Sequence, residues 1–285
     1  LAIINGDNKI DKLIGNAFAE LNIWKGIKFR SSYGMDLGNY NSSSYRPPYY
    51  LLPTSVQNYS SISTSFSREY SWQIENVLTF AHSFNKHNIQ VVAGQSAYKY
   101  TYQDLGGSRN DPAPIDPELA YIDVATDIAS SKNNGGADVR TLASYFGRAA
   151  YNYDDKYLLS GVIRRDGSSR FGRNHPYAVF PSASGAWVIS KENFFHSSVV
   201  SFLKLRASWG QNGNESLGSS FPWASTIVTS NNGYTFLSNG TEYLASGASL
   251  GAIANPDLKW ETSEQSDLGL DINLLKDKLS ISSDY

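Results

Sequence analysis

The sequence predicts an all-β protein made of long antiparallel strands, and three observations support this fold class. Of its 285 residues, 41% are hydrophobic, and the mean hydropathy is −0.36. Tyr (19), Phe (13) and Trp (6) are abundant, as expected for strands joined by polar turns. Apolar and polar residues also alternate over stretches well above the usual strand length of about 5–6 residues.

Composition excludes several other classes. No segment approaches the roughly 20 apolar residues of a membrane-spanning helix. The chain has no Cys, so disulfides, thiolate metal sites and a Cys nucleophile are excluded. A net charge of −2 gives no basic surface of the kind that nucleic acid requires, so no nucleic-acid partner is expected.

The two ends of the sequence predict a piece of a longer chain. The opening "LAIINGDNKI" has no initiating Met and no signal-peptide pattern, and the closing "LSISSDY" stops inside a predicted strand.

Ten strands are predicted from the two-residue period and the turn residues. They span residues 12–23, 27–40, 64–84, 88–103, 140–153, 157–166, 177–190, 202–212, 258–273 and 279–285. In the eighth strand, Leu205, Ala207 and Trp209 fall on one face, while the other face carries Lys204, Arg206 and Ser208. In a strand of this kind one face is apolar and the other polar.

The connections between these strands alternate in length. Short polar turns are predicted at 24–26, 85–87, 154–156 and 276–278, and residues 191–200 are expected to hold one helical turn. Long connections cover 41–63, 104–139, 167–176 and 213–257. In a ladder of hairpins, this alternation places the tight turns at one end and the long loops at the other.

This pattern is typical of a transmembrane β-barrel, with apolar side chains toward lipid, polar ones toward the lumen, short periplasmic turns and long extracellular loops. Leu205, Ala207 and Trp209 are thus expected to face lipid. Aromatics near strand ends are expected to form interfacial girdles. They are Trp24, Tyr151, Tyr153, Tyr157, Tyr177, Trp187, Trp209 and Trp260. A soluble β-sandwich or propeller would show similar alternation and is the alternative.

No catalytic or metal-binding pattern emerges. The four His are scattered singly, without zinc-ligand spacing, and the acidic segment 110–127 lacks the ladder of an EF-hand loop. We therefore expect neither an enzyme nor a cofactor.

Two polar loops rich in aromatic residues, 40–59 and 219–253, are the candidate binding regions, because exposed aromatics at a barrel mouth can stack on sugars or clamp a peptide. Loop-to-loop packing is the alternative role. The candidate ligand- or partner-binding residues are Tyr49, Tyr50, Trp223, Tyr234, Phe236 and Tyr243.

The second half of the chain resembles a known family. The blocks "ASYFGRAAYNYDDKYLLSGVIRRDGSSRFG", "RRDGSSRFGRNHPYAVFPSASGAWVISKENFF", "LKLRASWGQNGN" and "NPDLKWETSEQSDLGLDINLLKDKLSISSDY" run in order from about 143 to 285. They closely resemble the barrel of SusC/RagA-type TonB-dependent outer-membrane transporters of Bacteroidota. The resemblance implies that residues 1–285 are part of a larger barrel domain, and that the plug and N-terminal domains of the family lie outside this sequence.

The resemblance also implies a function. It predicts an outer-membrane importer that works with a SusD-like surface lipoprotein and with TonB, takes oligosaccharides or peptides, and lies among outer-membrane lipid and lipopolysaccharide. A SusC-like barrel acting as a scaffold in a secretion or assembly complex is the second hypothesis, and a soluble β-rich enzyme or adhesin is the third.

Overall fold

The computed structural model describes residues 5–218, 220–230, 235–238, 240–244 and 247–285, which form sixteen strands and three short 3₁₀ helices. The strands are β1 (Asn5–Trp24), β2 (Ile27–Arg46), β3 (Tyr49–Leu52), β4 (Ser55–Gln57), β5 (Ser60–Phe84), β6 (His87–Asp111), β7 (Asp127–Tyr153), β8 (Tyr157–Ser168), β9 (Tyr177–Val188), β10 (Val200–Asn214), β11 (Thr226–Ser230), β12 (Thr235–Ser238), β13 (Thr241–Leu244), β14 (Gly247–Ala252), β15 (Glu261–Leu274) and β16 (Leu279–Asp284). The 3₁₀ helices are Pro117–Leu119, Ile122–Val124 and Ile189–Lys191.

Ten of these strands form one antiparallel sheet in the order β1-β2-β5-β6-β7-β8-β9-β10-β15-β16. These are the ten strands that the sequence predicts, so the all-β fold class and the hairpin ladder are confirmed. The remaining strands form three hairpin-like pairs, β3–β4, β12–β13 and β11–β14. Within the described ranges, no helix has the length and apolarity needed to cross a membrane.

Several strands run further into the loops than predicted. β6 continues to Asp111 and β7 begins at Asp127, so the connection predicted over 104–139 shrinks to 112–126. The added segment "DIASSKNNGGADV" is polar on both faces. Its pairing depends on backbone hydrogen bonds rather than on an apolar face. The sequence therefore shows no two-residue hydrophobic period there.

Other connections contain structure that the sequence did not predict. The 41–63 connection holds the β3–β4 pair, and the 213–257 connection holds the β11–β14 and β12–β13 pairs. The helical turn predicted within 191–200 is instead the 3₁₀ helix Ile189–Lys191, which begins two residues earlier. β15 begins at Glu261 rather than 258, because the residues before it pack against another loop.

Backbone hydrogen bonds tie the tight turns to the neighbouring strand or turn. The Ala81 amide donates to the Gly26 carbonyl at 2.7 Å, and the Asp154 amide donates to the Lys86 carbonyl at 2.7 Å. Gly26 has φ +77°, and a Cβ there would lie 2.2 Å from the Ala81 carbonyl oxygen. Only glycine fits this turn, since it alone combines a positive φ with so close a backbone approach.

The chain divides into two compact units. Unit 1 comprises 1–17, 32–74 and 98–140, and unit 2 comprises 18–31, 75–97 and 141–285. Unit 1 has a small core of Tyr45, Ile62 and Ala125, against which Ile115, Ala120 and Ile122 pack. In the described part of unit 2 the buried hydrophobic residues are Phe171, Phe180 and Val188.

In unit 2 the register separates an apolar face from a polar face. Leu205 lies opposite Trp187 and Leu270, and Ala207 lies opposite Gly185 and Leu268. On the apolar face, Leu205 is 45% and Leu268 58% exposed, which fits contact with lipid. The assignment of this face to lipid stays a prediction.

The polar face is crossed by ion pairs. Arg206 donates from Nε and Nη2 to the two carboxylate oxygens of Asp271 at 2.9 and 3.0 Å, and its Nη2 lies 2.8 Å from Asp284. Ser282 donates to Asp271 at 2.7 Å. This network joins β10, β15 and β16 on the face opposite Leu205.

Glu192 organises the tight-turn end of β8 and β9. It accepts hydrogen bonds from the Tyr157 hydroxyl at 2.5 Å and the Trp187 indole N–H at 3.0 Å, and Lys156 lies 3.4 Å away. These donors, Tyr157 foremost, lower the pKa of the Glu192 carboxyl. The carboxylate therefore holds Tyr157 and Trp187, two of the aromatics predicted for the girdle, in position.

Candidate binding loops and inner polar cluster

Tyr49 and Tyr50 lie on the β3–β4 hairpin in unit 1. Tyr49 pairs with Gln57, and Tyr50 pairs with Val56. Tyr50 is 67% exposed, and the next two residues, Leu51 and Leu52, are 52% and 61% exposed. The hairpin thus presents an apolar tip to its surroundings, as a binding role for Tyr50 requires.

Trp223 is held in place rather than freely exposed. Its indole N–H donates to the Ser169 carbonyl at 3.1 Å, and its own carbonyl accepts from the Asn255 amide at 3.0 Å. The ring lies edge-on to Phe221, with centroids 6.5 Å apart. Trp223 is half-buried, and the contact that the structure shows for it anchors the loop. Its role in binding a ligand or partner stays a prediction.

The other three predicted residues lie beyond β11. Tyr234 falls outside the described residues. Phe236 and Tyr243 are opposite each other in the β12–β13 backbone pairing. Their placement fits a hairpin within the long connection, and their role stays a prediction.

The loop that follows β8 forms what we call the loop clasp, made of residues 166–176 and 255–260. Phe171 stacks on Trp260 with centroids 4.6 Å apart, and Phe180 meets the same indole at 5.5 Å. Phe171 is 3% and Phe180 7% exposed. The indole N–H of Trp260 donates to the Pro176 carbonyl at 3.3 Å, so an aromatic core closes the clasp.

Close backbone approach and polar contacts complete the loop clasp. A Cβ at Gly172 would lie 2.1 Å from the Pro256 carbonyl oxygen, so only glycine fits there. Asn174 donates to Asp257 at 2.7 Å, and Arg170 donates to the Glu215 carbonyl at 3.1 Å. The polar run after β8 therefore fixes both ends of the 215–260 connection.

A second ordered loop lies in unit 1, where Asp111 fastens residues 112–126. Its carboxylate accepts from the Ala113 amide at 2.8 Å, the Thr126 amide at 2.7 Å and the Thr126 hydroxyl at 2.8 Å. These backbone donors, Ala113 foremost, lower the pKa of the Asp111 carboxyl. Sequence reasoning weighed this acidic segment only as a Ca²⁺ site; in the described ranges no group of three or more His, Asp or Glu is placed to hold a metal.

The same loop is also tied to β2 and β5. The Ile115 amide donates to the Tyr45 hydroxyl at 3.0 Å, which in turn contacts the Ser60 hydroxyl at 3.3 Å. Ser60 donates to the Ala113 carbonyl at 2.8 Å. With its backbone fixed in this way, the loop exposes Leu119, Tyr121 and Val124, at 59%, 69% and 48% respectively.

Sequence reasoning missed a group in unit 1 that we call the tyrosine cluster, formed by Tyr40, Glu69, Tyr98, Tyr100 and Arg140. The Arg140 guanidinium carbon lies 5.5 and 5.7 Å from the centroids of Tyr98 and Tyr100, and its Nη2 donates to the Tyr98 hydroxyl at 3.4 Å. Tyr40 donates to Glu69 at 3.4 Å. All five side chains are half-buried.

The tyrosine cluster joins side chains from β2, β5, β6 and β7. It offers ring faces, hydroxyls, a carboxylate and a guanidinium on one surface, which suits a polar ligand with some apolar faces. The signal in the sequence was the stretch "YKYTY", whose period places Tyr98, Tyr100 and Tyr102 on one face of β6.

These features define a class of protein. An antiparallel ten-stranded sheet with an apolar and a polar face in unit 2, whose tight turns alternate along the chain with long structured connections, is typical of the wall of an outer-membrane β-barrel. Residues 7–285 match the family described as "TonB dependent receptor-like, beta-barrel", and the chain belongs to this family.

Comparison with individual proteins agrees. The chain is 31% identical to TonB-dependent receptor P3 of Formosa agariphila over 98% of its length and 27% of that protein. It is 34% identical to SusC of Bacteroides thetaiotaomicron over 56% of this chain and 16% of SusC. The chain thus spans about a quarter of the length of P3.

Among solved structures, the RagAB peptide transporter superposes with a TM-score of 0.86 at 24% identity, over 99% of this chain and 30% of that one. At this identity the likeness shows the fold. The predicted resemblance to SusC/RagA-type receptors is confirmed, and the relatives are receptors and transporters rather than enzymes.

Proposed function

We propose that this chain is part of the barrel of an active outer-membrane importer, which takes up oligosaccharides or peptides together with a SusD-like surface lipoprotein and TonB. The barrel would be completed, and the coupling to TonB supplied, by regions outside this sequence. The proposal is supported by a relative named as the TonB-dependent receptor SusC. It is also supported by a structural neighbour, RagAB, which is a peptide transporter.

The tyrosine cluster is the observation that carries the proposal. A barrel that served only as a scaffold would not need rings and charged groups assembled from four strands on one polar surface. Tyr98 and Tyr100 supply ring faces for a sugar or a peptide side chain, while Glu69 and Arg140 supply an acceptor and donors. These groups fit both proposed substrate classes.

The exposed loops of unit 1 support a protein lid. Leu119, Tyr121 and Val124 on the 112–126 loop, together with Tyr50 and Leu52 on the β3–β4 hairpin, are apolar, exposed and carried on ordered backbone. Exposed apolar side chains of this kind are typical of protein-interaction surfaces. A SusD-like lipoprotein at the extracellular mouth would cover them.

The test is uptake by the full-length transporter in a strain that lacks the chromosomal copy. Replacing Tyr98 and Tyr100 with Ala should lower growth on the transported glycan or peptide by about tenfold, the effect of losing about 1.4 kcal/mol of binding. The control is Lys99→Ala, which lies between them in sequence but on the opposite face. Normal uptake by the double variant at normal surface abundance would remove the support for import.

Co-purification in mild detergent separates the two membrane roles. Import predicts recovery with one SusD-like lipoprotein. Recovery with secretion or assembly components instead, from a strain that still takes up every substrate tried, would favour the scaffold.

A further inference from the structure

Among the described residues, the apolar face of unit 2 carries a cation that no neighbouring carboxylate neutralises. Arg165 lies opposite Tyr145 on one side and Val179 on the other. No described carboxylate oxygen lies within 4 Å of its guanidinium, whereas the adjacent Arg164, on the polar face, is paired with Asp166 at 2.8 Å. An exposed arginine on a lipid-facing surface needs a partner from its surroundings.

The guanidinium of Arg165 is held on an aromatic ring. Its central carbon lies 4.3 Å from the centroid of Tyr177. Tyr177 pairs with Gly167, where a Cβ would lie only 2.3 Å from the ring. Because Gly167 has no side chain, the ring lies flat across the backbone and forms a platform for Arg165.

The level of this platform follows from the strand geometry. On β8 the apolar face runs from Tyr157, near the tight turn, through Leu159 and Ile163 to Arg165. Eight residues at about 3.3 Å each, tilted by about 40°, rise roughly 20 Å, which is comparable with the apolar band of about 25 Å. Leu159 and Ile163 are 58% and 57% exposed, as lipid-facing residues should be. If the rise is counted from Tyr157 in the predicted girdle at the tight-turn side, Arg165 lies near the opposite edge of the apolar band, where the headgroups begin.

Tyr145 completes the site. It lies beside Arg165 on β7 and is 53% exposed, and Tyr177 is 42% exposed. One phenolic ring thus lies against the planar cation and a second tyrosine is its cross-strand neighbour, which leaves N–H groups of Arg165 for an external acceptor. A phosphate presents paired oxygens that match this fork, and an arginine binds it bidentately.

We propose that Arg165, Tyr145 and Tyr177 form a binding site for the phosphate of a lipid headgroup in the outer leaflet. The ring platform orients the guanidinium, and the phosphate neutralises it at the membrane surface. The site is separate from the proposed transport role, since it lies on the opposite face of the strands from the polar network. Its effect is to hold a lipid beside the base of the loop clasp.

Native mass spectrometry of the full-length transporter tests the site. Detergent-purified protein is mixed with phosphatidylglycerol or with a phosphate-free galactolipid of equal chain length. Wild type should retain phosphatidylglycerol, and Arg165→Gln should lower the bound fraction by about fivefold, the effect of losing a charge-assisted contact. Arg173→Gln makes the same charge change in an exposed loop residue and should bind as wild type does.

Further arms assign the source of the phosphate and guard against misfolding. Millimolar inorganic phosphate should fail to displace the lipid; displacement would assign the site to a free anion. Arg165→Lys keeps the charge without the fork and should bind about threefold less lipid than wild type. Equal retention by wild type, Arg165→Gln and Arg165→Lys, or equal retention of the galactolipid, would overturn the proposal.

Discussion

At the scale of single residues, glycines and one carboxylate determine how the loops fold back on the sheet. Gly172 lets the chain approach Pro256 closely enough to close the loop clasp. Asp111, which is 5% exposed, accepts the hydrogen bonds that fasten the 112–126 loop. Each of these residues positions a loop next to residues that we assign to binding.

Gly172→Ala should open the loop clasp. The added Cβ would have to move the Pro256 backbone, and overpacking of this kind costs about 1–3 kcal/mol. Limited proteolysis of the full-length protein in detergent should then cut within 166–176 or 255–260 faster than in wild type. The matched control is Gly161→Ala, where the nearest atom would be 4.0 Å away. Equal cleavage of the two variants would contradict the clasp.

The fastening by Asp111 should depend on pH. Because its pKa is lowered in the folded state, the stabilisation is present above the ordinary aspartate value of about 3.9 and is lost as pH falls through the lower folded value. Hydrogen exchange of 112–126 should rise over that acidic window.

Asp111→Asn should raise exchange in the same loop at neutral pH, since an amide nitrogen cannot accept from Thr126. Asp123→Asn removes the same charge from an exposed position in this loop and serves as the control. An unchanged exchange rate in Asp111→Asn would show that the contacts of Tyr45 and Ser60 are enough to hold the 112–126 loop without the carboxylate.

At the scale of elements, the sequence predicted every strand of the large sheet but not the full length of each. Where one side meets apolar surroundings, as in Leu203–Trp209, the two-residue period marked the strand. The polar start of β7 has no such period, and its pairing comes from backbone bonds that a side-chain pattern does not reveal. The tyrosine cluster was missed for a related reason, since its members come from four strands far apart in sequence.

The register of β10 gives a direct test of the two faces. Ala207→Arg should destabilise the folded barrel by about 2–4 kcal/mol if the site lies near the membrane midplane, because lipid cannot solvate the charge. Ser208→Arg, on the polar face, is the control. Urea titration in lipid vesicles measures both. A larger loss for the control would reverse the assignment of the faces.

At the scale of the whole molecule, the ten-stranded sheet and the long 215–260 connection are separable. Thr226 and Ala252 are opposite each other in the β11–β14 pair, so a deletion between them can be closed by a short glycine link. Such a deletion keeps Trp223 and Trp260, and with them the loop clasp. It removes Phe236 and Tyr243, which we assign to binding.

Deleting 227–251 from the full-length transporter should leave a folded, heat-modifiable barrel and weaken either lid association or uptake. Gel mobility reports the fold, and pull-down of the SusD-like partner reports the association. Exchanging the same segment for a polar linker of equal length controls for loop length. Unchanged partner binding and uptake in both variants would show that the segment has no binding role and serves only in loop-to-loop packing.

The bonds at the tight turns have a consequence for how such proteins diversify. The backbone bonds from Ala81 to Gly26, Asp154 to Lys86, Val188 to Lys156 and Leu275 to Val199 each join a tight turn to the neighbouring strand or connection. They fix the stagger of one hairpin against the next at the tight turns. Recombination can therefore exchange long loops between paralogues, while the bonds at the tight turns keep the stagger of the strands unchanged.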